Sequence, residues 1–470
     1  MSPRSLIVLL AALLAAACGQ APSGSGGGGW SLPPWPGQAP PDRPEVVTAF
    51  PRGFMWGVAT AGHQTEGYDQ TSQWAKWAAA GRTAQLPGRA TDSWHRYRED
   101  YDLAKGMGLN SFRFSIEWAK VEPQRDRIDQ AVVDHYVRVV DAARERGLEP
   151  IVTLHHFTYP AWLDTYKQPT GGYPGWEDVY TAQEFADYSR LMARVLRGKV
   201  KYYVTLNEPN IQAMLGYLAG ITVPGKRSRA AFGSVLENFS RGHALAYDAI
   251  HEEDPQALVS TNLFRMLNAT NPSAEFPVDP AEGFMDGLFG WRDGASAPLI
   301  KVGPDAEPPK GLRKLDYVSF DYYFAYRWME ALRIATQWDW PVVPEGIYTS
   351  LRYYHDRYHL PILIAENGMA TEDGKPRPDG WSRESFLVNH VFQVRKAVLE
   401  GVKVLGYVHW SLLDNYEWGS FKPRFGLYRV DYAKPDLPRI PTPAVGVFKR
   451  IAEANDLPAD LEKRYVGKKN

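Results

Sequence analysis

Cysteine occurs once in 470 residues, at Cys18, which excludes an intrachain disulfide and a cysteine-built metal cluster. Net charge is equally scarce. Lys and Arg number 53 against 54 Asp and Glu, so no global field draws the chain to nucleic acid or to a charged surface. Beyond residue 17 no apolar run approaches the roughly 20 residues that a membrane-spanning helix needs. No internal repeat and no second linker break up the chain after residue 50. Hydrophobic residues make up 44% and charged residues 23%, which is incompatible with a disordered chain. Aromatic residues are plentiful, with 16 Trp and 26 Tyr. They suit either a large core or flat platforms for sugar rings, and composition leaves both uses open.

The N-terminus reads as an export signal. Arg4 precedes an unbroken apolar run over 6–17, too short to cross a bilayer and of the right length for a signal-peptide core. The run ends Leu14-Ala15-Ala16-Ala17-Cys18. Small residues before a cysteine resemble the bacterial lipobox, whose cysteine is lipid-modified and becomes the new N-terminus, although Ala15 stands where Leu is usual. Cys18 is therefore the expected lipid-attachment site. Ordinary cleavage at or near Ala15-Ala16-Ala17 is the alternative and would leave a soluble periplasmic or secreted protein. Residues 23–29 are Gly/Ser-rich and 33–44 Pro-rich, a flexible segment followed by a stiffer spacer. The expected organisation is a signal peptide at 1–17, a tether at 18–49, one globular domain at 50–456 and a polar tail at 457–470. Membrane contact is expected only through the lipid.

Within the domain, short apolar, β-branched or aromatic runs recur at 54–60, 111–116, 150–154, 202–206, 257–263, 317–320, 362–365 and 404–409. Stretches with helical periodicity lie between most of them, such as 130–146, followed by Gly147 as a helix-ending residue, and 185–197. Strands alternating with helices make a parallel sheet. Eight such units close into an α/β fold of the single (β/α)8, or TIM, barrel type, whose active site lies at the C-terminal ends of the strands.

Two of those strand ends carry a carboxylate. Asn207-Glu208-Pro209 follows the fourth run and Glu366-Asn367-Gly368 the seventh. Either glutamate alone is as well explained by a loop or capping acid. Two carboxylates brought to one buried cleft are costly, so structure alone does not ask for them. Such a pair suits glycoside hydrolysis, in which one carboxyl protonates the leaving oxygen and the other attacks the anomeric carbon.

Three segments then carry a resemblance. Thr205-Leu206-Asn207-Glu208-Pro209, Ile364-Ala365-Glu366-Asn367-Gly368, and the stretch from Trp410 through Glu417-Trp418 to Arg424-Phe425-Gly426-Leu427 resemble, in this order and spacing, the motifs of family 1 glycoside hydrolases, the β-glucosidase family, over about residues 50–455. The resemblance implies a retaining β-glycosidase acting on terminal, non-phosphorylated β-D-glycosides, most of all β-glucosides, without cofactor or metal. It implies Glu208 as general acid/base and Glu366 as nucleophile. Gln64, His156, Asn207, Trp410, Glu417 and Trp418 match sugar-binding positions. Arg113 and Tyr323 match the groups that hold the nucleophile. The implied substrate is a small carbohydrate or an aryl or alkyl glycoside.

The sequence departs from the family pattern in places. Phe157 stands where Trp is usual, and Asp321 replaces the usual Asn of Asn-Tyr-Tyr, adding a carboxylate near Glu366. The 417–424 loop is short, and residues 265–312 do not match the usual pattern. A glycan-binding protein without activity would have lost a catalytic carboxylate, and neither is lost here. A transglycosidase would use the same site. A 6-phosphoglycosidase would want a small residue at Trp418 and more than Lys422 in a basic loop. His355 and His359 have the spacing of a zinc-protease motif, but Asp356 stands in place of its glutamate, and the helix surface before the seventh strand explains the pair. Gly26–Gly29 lacks the Lys-Ser/Thr of a phosphate loop.

Overall fold

Eight parallel strands close into one barrel: β1 (Met55–Ala59), β2 (Ser111–Ser115), β3 (Glu149–His155), β4 (Tyr202–Asn207), β5 (Leu258–Phe264), β6 (Val318–Asp321), β7 (Ile362–Asn367) and β8 (Val404–Trp410). A computed structural model of the chain describes residues 49–165, 174–268, 284, 313–326 and 336–469. Cys18, the signal segment and the tether up to residue 48 lie outside the described residues, as do 269–283 and 285–312. Strands adjacent in the chain are adjacent in the barrel, and β1 pairs with both β2 and β8 to close it. The expected (β/α)8 barrel is borne out, and each strand overlaps the run that predicted it.

Burial explains why these runs were legible. A barrel strand is covered by the packed interior on one side and by helices on the other, so it reads as a nearly continuous apolar stretch. Ile362, Leu363, Ile364 and Ala365 of β7 are all fully buried. Both catalytic-type strands run past their apolar stretches. Asn207 is the last residue of β4, and Glu366 and Asn367 close β7. Glu366 is therefore a strand residue, not the first residue of a loop.

Helices α1 (Ser93–Gly106), α2 (Gln130–Glu145), α3 (Val179–Val195), α4 (Arg229–Glu253), α5 (Glu345–Tyr358), α6 (Arg383–Leu399) and α7 (Pro443–Ala454) form the outer layer among the described residues. In α2 the side chain of Asp129 accepts from the N–H groups of Ala131 and Val132, which caps the start. Val133, Tyr136, Val139, Val140 and Ala143 then repeat at helical spacing and face the barrel. The helix ends at Arg146, and Gly147 follows in the left-handed region at φ +67°. Helix α3 starts earlier than its apolar periodicity suggests, because Asp178 caps it. His355 lies in the last turn of α5, and His359 is its left-handed C-cap, so the two histidines belong to a helix end.

Two apolar layers result. One lies between the helices and the barrel wall. The other fills the barrel, where Met55, Ala59, Ile151, Val204, Leu363 and Val408 belong to one cluster. The N-terminal end of the barrel is closed by aromatics. The Phe50 ring lies 4.7 Å from Phe54 and 4.8 Å from Trp56. The Trp56 indole donates to Asn455 Oδ1 at 3.0 Å, and Asn455 Nδ2 donates to the Phe50 carbonyl at 3.0 Å, so the two ends of the domain are tied together.

The polar tail expected at 457–470 is corrected. Ala459–Tyr465 forms a further helix, α8, with Leu461 and Tyr465 buried. Asn389 on α6 donates to the Tyr465 carbonyl at 2.9 Å. The segment is largely charged, so its few apolar residues sit too far apart to reveal a buried face by periodicity alone.

Candidate active site

The carboxylates come together through local backbone chemistry. Proline fixes its own φ and suits the first position of a helix. Pro209 opens the short helix Pro209–Ala213, and Glu208 before it is left at φ +42°. A left-handed glutamate is strained by about 1–3 kcal/mol, and such strain concentrates at functional sites. Just past β7, a side chain at Gly368 would place its Cβ 1.8 Å from the Trp410 carbonyl oxygen. Only glycine lets the ends of β7 and β8 approach this closely, which sets Glu366 beside Trp410.

Carboxylate oxygens of Glu208, Glu366 and Asp321 lie within 4.8 Å of one another, and all three side chains are buried. Arg113 on β2 holds the group together. Its Nη1 donates to Glu366 Oε1, its Nη2 to Asn207 Oδ1 at 2.6 Å and Asn262 Oδ1 at 3.2 Å, and its Nε to Thr153 Oγ1 at 3.0 Å. The Tyr323 hydroxyl donates to Glu366 Oε2 at 2.5 Å. Any cation placed among the three carboxylates would have to compete with the Arg113 guanidinium.

These contacts separate the two glutamates. Burial raises both, and the charge of Glu366 raises Glu208 further, leaving it well above the ordinary carboxyl range. Glu366 is raised by burial, but Arg113 and the Tyr323 hydroxyl oppose the rise. Glu366 therefore ionises first, and Glu208 keeps its proton.

A polar ring surrounds them. Asn207 Oδ1 accepts from Arg113 and, at 2.9 Å, from Asn262 Nδ2. This fixes the amide and turns its Nδ2 toward His156 Nε2, 3.3 Å away. Burial, followed by the charge of Arg113, holds His156 well below its usual range, so it is neutral. Trp410 closes β8, and its indole donates to Glu417 Oε1 at 3.1 Å. Burial pushes the Glu417 carboxyl up to about 8, against the opposing hydrogen bond from Trp410. Gln64 Nε2 donates to Asn415 Oδ1 at 3.0 Å. Trp418 stacks on His156 with centroids 5.9 Å apart, and His156 stacks on Trp410 at 5.8 Å.

Gln64 Oε1 and His156 Nδ1 are buried without a hydrogen-bond partner among the described residues. Unpaired buried polar atoms are rare unless something else satisfies them. Two such atoms beside stacked aromatic rings suit a ligand with many hydroxyls and one apolar face. A second aromatic group adjoins Tyr323: the Trp340 ring lies 5.3 Å from it and 6.1 Å from Phe425.

The structure thus brings together all ten site residues expected inside the domain: Gln64, Arg113, His156, Asn207, Glu208, Tyr323, Glu366, Trp410, Glu417 and Trp418. Phe157 packs edge-on against Trp418 at 4.9 Å, and its ring offers no N–H to donate. Sequence reasoning missed Asn262, Asn415 and Trp340. Asn262 had a signal, an amide within the apolar run of β5 where both faces are buried.

Comparison with known proteins agrees with this geometry. The family model described as glycosyl hydrolase family 1 matches residues 46–288 and 322–457. Beta-glucosidase A of Thermotoga maritima is 30% identical over 438 residues, covering 82% of this chain and 94% of its own. A beta-galactosidase of Sulfolobus acidocaldarius is 28% identical, covering 88% of this chain and 97% of its own. Among solved structures, a beta-glycosidase from Pyrococcus horikoshii superposes with TM-score 0.74 at 31% identity, covering 89% of this chain and 98% of that one. A beta-glucosidase from Thermotoga maritima in complex with castanospermine gives TM-score 0.73 at 29% identity, covering 88% of this chain and 100% of its own.

Proposed function

The chain belongs to glycosyl hydrolase family 1, and from that membership we propose a retaining β-glycosidase that removes terminal, non-phosphorylated β-D-glycosyl residues, foremost β-glucosyl. The observation that carries this reading is the separation of the carboxylates. Glu208 and Glu366 present oxygens within 4.8 Å of each other. Retaining pairs stand about 5–5.5 Å apart and inverting pairs about 6.5–9.5 Å, which leaves room for water. Relatives named beta-glucosidase and beta-galactosidase support the choice of glycone class.

Glu366, ionised against Arg113 and Tyr323, attacks the anomeric carbon and forms a glycosyl ester. Glu208 protonates the departing oxygen, then takes a proton from the water that hydrolyses the ester. Asn207 donates to the sugar 2-hydroxyl, where the contact strengthens as positive charge develops at the ring. Gln64, His156, Glu417 and Trp418 bind the remaining hydroxyls, and Trp410 forms the floor. Trp340 and Phe425 suit an apolar leaving group.

A panel of nitrophenyl glycosides tests this reading. The 4-nitrophenyl β-glucoside should be turned over and the α-glucoside left untouched. A chain that cleaves no β-glycoside, or cleaves the α-anomer better, contradicts it.

The same reading extends to location. Cys18 is proposed as a lipid anchor that tethers the catalytic domain to the cell envelope through residues 18–49. Two or more acyl chains give stable membrane attachment, whereas one gives only marginal binding. Cys18→Ser should move the protein out of the membrane fraction or leave it unprocessed. Unchanged size and fractionation in that variant would overturn the anchor.

A further inference from the structure

We propose that Glu117 is a positioning residue for sugar binding: it ties the turn that carries Gln64 to the loop that carries His156, and so sets the spacing of those two contacts. The proposal rests on the reading of the site as a β-glycosidase pocket.

Glu117 stands two residues past β2, and its side chain is fully buried. Its Oε1 accepts from the backbone N–H of His63 at 3.0 Å and from the Ser115 hydroxyl at 3.2 Å. Its Oε2 accepts from the Thr158 hydroxyl at 2.6 Å. His63 directly precedes Gln64, and Thr158 lies two residues beyond His156. From its place after β2, one carboxyl group thus bonds to the segments that follow β1 and β3. The short helix Gly62–Thr65 begins at Ala61, which has no side chain to cap it. Ser115 Oγ accepts from the Gly62 N–H at 2.8 Å and Glu117 from that of His63, so both acceptors come from the β2 side. A Cβ at Gly62 would lie 2.6 Å from both Cγ and Oε1 of Glu117. Glycine there is what admits the carboxyl.

Stability alone does not ask for this acid. Its hydrogen-bond donors are one N–H and two hydroxyls, and the ammonium of Lys120 is paired with Glu66 instead, at 2.7 Å. Burying a carboxyl without a cation in contact is costly. What the contacts do is fix two segments that face the ligand. Gln64 Oε1 and His156 Nδ1, one on each segment, are buried and unpartnered. They serve one sugar only if their spacing is right, and a displacement of about 1 Å in such a site can cost on the order of 10²-fold in rate. Asn207 is held separately, by Arg113 at 2.6 Å, so its contact to the sugar does not depend on Glu117.

The role lies in hydrogen-bond geometry, not in charge. Burial, then the charges of Glu66 and Asp69, push the Glu117 carboxyl up to about 7. A proton does not undo the bridge. Oε2 then donates to the Thr158 hydroxyl, which accepts as well as it donates, and Oε1 keeps the His63 N–H. A glutamine makes the same two bonds with its amide. Removing the side chain leaves the His63 N–H without its acceptor and cuts the link between the two segments.

Glu117→Ala and Glu117→Gln test the proposal on 4-nitrophenyl β-glucoside and its 2-, 3-, 4- and 6-deoxy analogues. In Glu117→Ala, kcat/KM for the parent sugar should fall by about 10–100-fold. The penalty for deleting at least one of the 3-, 4- and 6-hydroxyls should shrink by about threefold or more, as for coupled partners in a double-mutant cycle. The penalty for deleting the 2-hydroxyl, which falls to Asn207, should match the wild-type protein. Glu117→Gln should keep all the wild-type values. Thr158→Val cuts the bridge on one side while keeping the shape, and should give the Glu117→Ala pattern at smaller size; it carries the test if Glu117→Ala does not fold. A merely structural acid would lower the melting temperature and leave the deoxy penalties in place. Unchanged penalties, or an equal fall in all four, would overturn the proposal, as would a Glu117→Gln protein as impaired as Glu117→Ala. Failure of the underlying reading looks different: the wild-type protein itself would cleave no β-glycoside.

Discussion

Glu366→Ala should lose turnover of every glycoside, by on the order of 10⁵-fold or more, because no other group can form the glycosyl ester. Glu208→Ala should fail selectively. Loss of a general acid costs about 10²–10⁴-fold, and it falls on substrates whose leaving group needs a proton. An aryl glycoside with an acidic leaving group should still transfer its sugar to Glu366 and then stall, giving a burst of phenol followed by a slow steady state. Azide should release the stalled sugar as the β-azide. In Glu366→Ala, azide entering the vacated space would give the α-azide. The two products, separated by NMR, check the assignment of each glutamate. A Glu366→Ala protein that retains ordinary turnover would remove the nucleophile from that position.

Arg113→Met should have the second-largest effect, on both stability and rate. Arg113 is fully buried and touches Glu366, Asn207 and Asn262. Removing one partner of a buried ion pair costs about 3–5 kcal/mol, because the remaining charge is left without compensation. The foremost influence holding the Glu366 pKa down would be lost, so that carboxyl should retain its proton to higher pH. A carboxyl raised in the folded state binds protons more tightly there than in the unfolded chain, so its contribution to stability falls as pH rises. The deficit of Arg113→Met against the wild-type protein should therefore shrink as pH is lowered toward the unfolded carboxyl range, near 4.3. The acid limb of kcat/KM should move up. Thermal unfolding at several pH values and a pH–rate profile read both effects. Arg113→Lys keeps the charge but not the fork, and should restore much of the stability with little of the rate. Equal activity in Arg113→Met and the wild-type protein would contradict the role given to this residue.

The barrel was legible because its strands are buried on both faces and so carry unbroken apolar runs, as in β7. The site was legible where a short motif fixes its own geometry. Asn207-Glu208-Pro209 ends a strand, starts a helix and tips a carboxylate into the barrel mouth within three residues. What escaped depends on contacts between distant segments. Asn415 matters because Gln64, which follows the neighbouring strand β1 from the far end of the sequence, donates to it, and no local pattern announces that. Trp340 is one tryptophan among many until Tyr323 is seen beside it. Asp321 could be recognised as an extra carboxylate from the sequence, but its hydrogen-bond donor could not, since Asn262 comes from the neighbouring strand β5. The helix α8 was missed because Leu461 and Tyr465 lie in a charged segment whose burial depends on α6.

The central claim is double displacement through Glu366, and the configuration of the first sugar released tests it most directly. Proton NMR of the reaction with a β-glucoside should show the β anomer accumulating first, with the α anomer following only as the free sugar equilibrates. An α anomer appearing first would mean direct attack by water and would contradict the account.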